Sequence, residues 1–180
     1  VRGKVTTLVL PGIGNSGPDH WQSRWLAEHP VFHRVQQADW DNPDLEAWCR
    51  NLEAAVHDAP SPVILMAHSL GCLLAVHWEL RTSLLVRGAL LVAPPDPTSP
   101  AFPPEAANFA PVPLRRLPFP SILVASSNDP YATLEFSREC AAAWGSRLVD
   151  AGALGHINAA SGVGEWGKGL KIYEELLRSI

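Results

Sequence analysis

The stretch from Val63 to Cys72 constrains the fold of this chain more than any other. Five apolar residues, Val63 to Ala67, are followed by His68, Ser69, Leu70 and Gly71, and an apolar helical pattern starts at once. A short apolar run bounded in this way reads as a buried strand, so the chain turns sharply from strand into helix with Ser69 at the apex. Such an elbow holds a serine hydroxyl above the carboxyl end of a parallel sheet. Strand and helix approach closely there, which calls for small residues two positions either side of the serine. Gly71 meets that need, and Ala67 stands where glycine is usual.

The remaining pattern alternates strands with helices. Strands are predicted over Thr6–Leu10, Phe32–Gln36, Val63–Ala67, Val86–Val92, Ser121–Ala125 and Leu148–Ala151. Asp19 or Ser16 is expected to cap a helix through Glu28 that carries Trp21 and Trp25 on one stripe. Asn42 as cap and Pro43 in the first turn are expected to start a second helix along Leu45, Trp48, Leu52 and Val56. The elbow helix is predicted over Leu70–Thr82, with Leu73, Val76, Leu80 and Trp78 inward. Thr133–Trp144 is predicted helical, with Phe136, Cys140, Ala143 and Trp144 on one side. Trp166, Leu170, Tyr173, Leu176, Leu177 and Ile180 make the terminal helix amphipathic. This order implies a sheet of about six parallel strands with helices on both faces, whose ligands bind beyond the carboxyl ends of the strands.

Residues 93–119 differ from the rest, with nine prolines and little periodicity. They are too poor in core-forming pattern for a second domain, so residues 1–180 are expected to form one domain. The segment is either a functional surface loop, such as a small lid, or a structural excursion packed on the sheet.

A serine hydroxyl needs a base to take its proton, and the base needs an orienting acid. In chain order, Ser69 is followed by Asp129 after the fifth strand and His156 after the sixth, each on a carboxyl-end loop. Asp96, after the fourth strand, competes with Asp129 for the role of acid, and the tight strand-to-turn placement favours Asp129. Asp39, Asp41 and Asp150 read as caps or surface groups. An oxyanion hole would use the backbone N–H of Leu70 and one from the loop after the first strand, Ile13 ahead of Gly14. Gly12 and Gly14 let that loop approach a substrate, which makes them candidates to line the pocket with His20 and His68. A helix-terminal structural role is the main expectation for His20. His68 is expected to point away from Ser69 and into the fold. The glycine-rich loop lacks the features of a phosphate cradle. His29, His33, His57 and His77 share no metal spacing, so no metal or cofactor is expected. Trp40 is the tryptophan expected to be exposed.

Composition excludes several alternatives. Fourteen basic and 18 acidic residues give a net charge of −4 without a long charge run, so nucleic acid and anionic lipid are not expected partners. Charges such as Arg87 interrupt the apolar stretches, so no membrane span is expected. The start lacks a signal peptide's apolar region. Cys49, Cys72 and Cys140 are an odd number in apolar surroundings, read as buried thiols in a reducing cytoplasm.

Several segments together resemble a known family. These are Pro11 to Gly14, Asp19 to Trp25, Ala67 to Gly71, Ser127 to Tyr131, and Gly155 to Gly162 with Glu165 and Trp166. They look like the small α/β-hydrolases related to retinoblastoma-binding protein nine, and the resemblance covers nearly the whole chain. It implies a compact six-stranded hydrolase without a large cap and a Ser69–Asp129–His156 triad, and it supports Asp129 over Asp96. The Leu-x-Cys-x-Glu motif of the vertebrate namesake is absent, so retinoblastoma binding is not carried over. The expected activity is that of a carboxylesterase-like serine hydrolase acting on small esters. The competing readings are a non-catalytic scaffold on a hydrolase fold, and an amidase or acyltransferase using the same triad. Oligomeric state is not legible.

Overall fold

The computed structural model describes residues 4–180, so Val1 to Gly3 of the start read above lie outside the described residues. Strands β1 (Thr6–Leu10), β2 (Phe32–Arg34), β3 (Val63–His68), β4 (Gly88–Val92), β5 (Ser121–Ala125) and β6 (Arg147–Asp150) form one parallel sheet, in the order β2-β1-β3-β4-β5-β6. Helices α1 (Trp21–Glu28), α2 (Leu45–His57), α3 (Leu70–Glu79), α4 (Leu134–Trp144) and α5 (Gly167–Arg178) cover it.

The central strands are apolar at nearly every position because both faces are buried. Alternate side chains point to opposite faces. Leu8, Leu10, Leu65, Ala67, Leu91 and Leu123 join a core with Trp48, Leu52, Leu73, Trp78 and Trp144 of α2, α3 and α4. Val9, Ile64, Met66, Leu90, Val92 and Val124 face the other way, onto Trp21, Trp25, Trp166, Tyr173 and Leu176 around α1 and α5. Among the described residues no helix is long and apolar enough to cross a membrane. All three cysteines are free and buried. Burial pushes the Cys49 thiol up to about 11 and Cys140 to about 12, and raises Cys72 strongly, so all three stay protonated near neutral pH.

Several boundaries differ from the sequence pattern, some through strand pairing and some through local turns and caps. β2 stops at Arg34, since only Phe32, His33 and Arg34 find register partners on β1. β4 starts at Gly88, which pairs with Ile64 of β3. β6 begins at Arg147, one residue earlier than expected. α3 ends at Glu79, where the N–H groups of Arg81 and Thr82 both turn back onto the Trp78 carbonyl. Leu80, expected inward, is therefore 41% exposed. The cap of α1 is His20, not Asp19 or Ser16, and the cap of α2 is Asp44, not Asn42. Trp40 is half-buried edge-on against Trp48, and it is the one tryptophan outside the buried set.

The proline-rich excursion combines both expectations for it. Its short 3-10 segment, Pro104–Phe109, buries Ala106 and Phe109 completely, and His77 Nε2 donates to the Phe109 carbonyl at 2.7 Å. Just before that anchor, Phe102 and Pro103 reach the cavity described below.

The elbow rests on one close approach. A Cβ on Gly71 would lie 2.2 Å from the Leu10 carbonyl oxygen, so α3 and β1 touch backbone to backbone. Ala67, by contrast, packs its methyl in the core between its partners Leu10 and Leu91. The need for a small residue is thus absolute after the serine and relaxed before it. Gly71→Ala should cost at least about 3 kcal/mol of unfolding free energy, because a backbone neighbour cannot yield. Urea denaturation followed by circular dichroism measures this, and a loss below 1 kcal/mol on the same scale would contradict the close approach.

Candidate active site

Ser69 sits between β3 and α3 with φ 55° and ψ −124°, a conformation that costs a non-glycine residue of order 1–3 kcal/mol. The turn is held by the Ser69 N–H on the Val92 carbonyl at 2.9 Å and the Cys72 N–H on the Ser69 carbonyl at 2.9 Å. Ser69 Oγ lies 2.7 Å from His156 Nε2. On the far side of the ring, Nδ1 lies 3.0 Å from both carboxylate oxygens of Asp129. An ionised carboxylate only accepts, so Nδ1 carries the proton and Nε2 presents its lone pair to the serine hydroxyl. The Asp129 side chain is 3% exposed and that of His156 10%. Asp129 also accepts the Tyr131 N–H at 2.9 Å, and the Tyr131 ring lies 4.5 Å from the imidazole.

The structure therefore brings Ser69, His156 and Asp129 together and leaves Asp96 elsewhere. The Asp96 carboxylate takes the N–H and hydroxyl of Thr98, both at 2.8 Å. Asp39 and Asp150 cap local turns, accepting from Asp41 and Asn42 and from Gly152.

His156 follows an edge strand that is half-exposed, so its loop needs other support. Ser126 Oγ accepts the Leu154 N–H at 2.9 Å, and Asn128 Oδ1 accepts the Gly155 N–H at 2.7 Å. Trp21 Nε1 donates to the Ile157 carbonyl at 2.9 Å, and Trp25 Nε1 to that of Glu165 at 2.7 Å. Ile157 itself has φ 49°, an outlier for a β-branched residue, immediately after the histidine. Gln22 ties α1 to the sheet by donating to the carbonyls of Leu10 and Met66. Trp21 and Trp25, which the sequence pattern placed on one helical stripe, are buried as that pattern implies and also tether the histidine loop, while Gln22, for which the sequence offered no role, fixes their helix to the sheet. Asn128 lies in a segment read only as a turn, and its neighbourhood to Asp129 was the available clue.

His68 departs from expectation. It is buried but does not turn away from the site. Its Nε2 donates to the backbone carbonyl of His156 at 2.8 Å, and its ring lies 4.9 Å from the His156 ring. His20 stands edge-on to His68 at 4.7 Å. Burial, then the neighbouring His156 and His20, drives the His68 pKa well down. Burial, His156 and Arg34 lower that of His20 from 6.5 to about 4.

These groups enclose a cavity of about 200 Å³, below the ~300–1,000 Å³ of drug-sized pockets. Gly12, His20, His68 and Asn158 form part of its wall, and Ile13, Leu70, Pro95, Phe102 and Pro103 supply apolar surface. A Cβ on Gly12 would stand 3.0 Å from the Ser69 Cβ and 3.4 Å from the Leu70 nitrogen, so the β1 loop lies against the elbow. Gly14, expected to line the pocket, is exposed outside that wall, and its N–H donates to the Trp40 carbonyl at 2.8 Å.

A parallel sheet with a strained serine at the β3–α3 elbow defines an α/β-hydrolase fold, without a large cap. The chain belongs to the serine hydrolase family, which it matches over residues 7–175. It is similar to a YdeN-like hydrolase from Pectobacterium atrosepticum, at 34% identity over 97% of this chain and 91% of that one, with a TM-score of 0.87. The ydeN gene product of B. subtilis (20% identity, 98% of this chain and all of that one, TM-score 0.74) shares the fold. So does an α/β-superfamily hydrolase from Xanthomonas campestris (21% identity, 97% and 99%, TM-score 0.65). No curated protein sequence matches the chain.

The depressed histidines make stability depend on pH. His20 is neutral in the fold down to about 4, whereas the unfolded chain protonates near 6.5. Its contribution is complete above pH 6.5 and is lost as pH falls from about 6.5 to about 4, by up to roughly 3 kcal/mol. Urea titrations between pH 4 and 7 should show this decline, and His20→Asn should flatten it. An unchanged slope in the variant would contradict the buried neutral ring.

Proposed function

We propose that this hydrolase cleaves small carboxylic esters through an acyl-enzyme on Ser69. The observation that carries the reading is the continuous chain from Ser69 Oγ through His156 to Asp129, at 2.7 and 3.0 Å. His156 Nε2 takes the serine proton as Oγ bonds to the ester carbonyl carbon. Asp129 holds the ring in the required tautomer and stabilises the imidazolium. As the tetrahedral intermediate collapses, the carbon–oxygen bond to the alcohol breaks and His156 gives the proton to the departing oxygen. Water then enters, loses a proton to His156 and attacks the acyl carbon; the bond from that carbon to Oγ breaks, and His156 returns the proton to Ser69 Oγ as the carboxylic acid leaves.

The intermediate's oxyanion requires two donors. The Leu70 N–H belongs to the first turn of α3, where amides have no helical partner. Ile13 is the second donor. It lines the cavity beside Gly12, while the neighbouring Gly14 amide already donates to Trp40. The cavity's modest volume and its apolar wall of Leu70, Phe102 and Pro103 support short, uncharged acyl or alcohol groups.

Fluorophosphonate labelling with mass location of the adduct tests the nucleophile, and should place it on Ser69. Ser69→Ala should abolish labelling and reduce p-nitrophenyl ester turnover by on the order of a millionfold. Asp129→Asn should lower kcat by about 10⁴, and Asp96→Asn far less. Turnover that survives in Ser69→Ala sinks the mechanism, and the reverse ranking of the two aspartates would reassign the acid.

A further inference from the structure

Arg34 is a half-buried cation without an anion. Burial lowers its pKa, and among the described residues no carboxylate lies within ion-pair distance of it. Its guanidinium donates to neutral oxygens instead. Nη1 reaches Asn15 Oδ1 at 3.0 Å and the Ser16 carbonyl at 3.3 Å, and Nη2 reaches Ser23 Oγ at 2.6 Å. Ser23 Oγ in turn donates to the Ser16 carbonyl at 2.9 Å. Arg34 ends β2 and pairs with Val9 of β1, so it stands beside the loop that β1 feeds.

That grip falls on the turn that carries Ile13. The Asn15 N–H closes the turn on the Gly12 carbonyl at 3.2 Å. Gly14, in the third position, has φ 75°, whereas Ile13 is not among the residues of positive φ, which makes the turn type II. The second residue's N–H takes no part in such a turn's own hydrogen bond. Among the described residues, the Ile13 N–H has no backbone acceptor. Gly12 lies against the elbow, and the Gly14 N–H is held by the Trp40 carbonyl at 2.8 Å. Asn15 is the remaining corner. Its φ of 66° is uncommon outside glycine, and its Oδ1 takes the Ser16 N–H at 2.7 Å as well as Arg34.

We propose that Arg34 is a positioning residue for the oxyanion hole: its grip on Asn15 keeps the turn closed and so holds the Ile13 N–H on the oxyanion. The inference rests on the esterase reading above. Arg34 itself lies outside the cavity wall, whereas Asn15 forms part of it. A carboxylate at position 15 would grip the guanidinium more strongly, but it would set a negative charge in that wall, against the developing oxyanion. A neutral amide held by an arginine fork avoids the conflict.

Arg34→Met keeps an unbranched stem and removes all three donations. Rates are taken per active serine, counted by fluorophosphonate labelling, so that misfolded protein does not enter them. A displaced donor weakens the acylation and deacylation transition states alike. The kcat for p-nitrophenyl acetate should therefore fall about tenfold to a hundredfold, with KM changed by less than about twofold. A trifluoromethyl ketone, which forms a comparable oxyanion on Ser69, should bind more weakly by the same factor. Asn15→Gly removes the gripped oxygen and still accepts the backbone conformation. In that background Arg34→Met should lower kcat by less than about threefold. If thermal melting finds Arg34→Met unfolded, Arg34→Lys takes the same tests, since an ammonium keeps the charge but not the planar fork. Unchanged kcat, a loss confined to KM, or an equal loss with and without the Asn15 oxygen, in a wild type that labels at Ser69, overturns the role of Arg34 alone. Absence of labelling in the wild type overturns the esterase reading, and this inference with it.

Discussion

The backbone contact between Gly71 and the Leu10 carbonyl sets the position of almost everything at the site. Because α3 leaves the elbow with no side chain between itself and β1, the start of the β1 loop is pressed against the serine. That approach places Gly12 beside Ser69 Cβ and brings Ile13 into the cavity wall. It also leaves the turn little choice but the left-handed conformation at Ser69, braced by the Val92 carbonyl of the next strand. Backbone packing of this kind is stiff, since neither partner has a rotamer to change.

The histidine has the opposite kind of support. β6 is an edge strand with no fully buried residue, and the sheet alone gives its following loop little order. Trp21 and His68 donate to carbonyls of the loop, and Ser126 and Asn128 accept its N–H groups, so it is held from several sides. Each bond is worth about 1 kcal/mol net, so the histidine's place depends on their sum rather than on any one.

What was readable in the sequence follows from the range of the interactions concerned. The parallel α/β order and the strands β1, β3 and β5 were legible because apolar runs and helical periods are local signals. Ser69, Asp129 and His156 were legible as a set because each falls just past a strand end, and strand ends are marked by turn residues. Leu80 was misjudged because its period continues past Glu79, while a turn onto Trp78 ends the helix first. The helix-terminal role of His20 was legible, but the cap itself was given to Asp19 or Ser16, since an imidazole is an uncommon acceptor there. The orientation of His68 depended on a carbonyl 88 residues away, and no local pattern encodes such a distance.

The cavity is walled by two segments of unequal responsibility. The chain from Gly12 to Trp21 contributes a loop against the serine, a histidine in the wall and a tether for the opposite loop, so an insertion there disturbs all three together. The proline-rich excursion reaches the same cavity through Pro95, Phe102 and Pro103, and Phe109 anchors it independently. A substitution in the second segment therefore reshapes the cavity without disturbing the serine or the histidine loop. For an engineer, the excursion is the place to randomise.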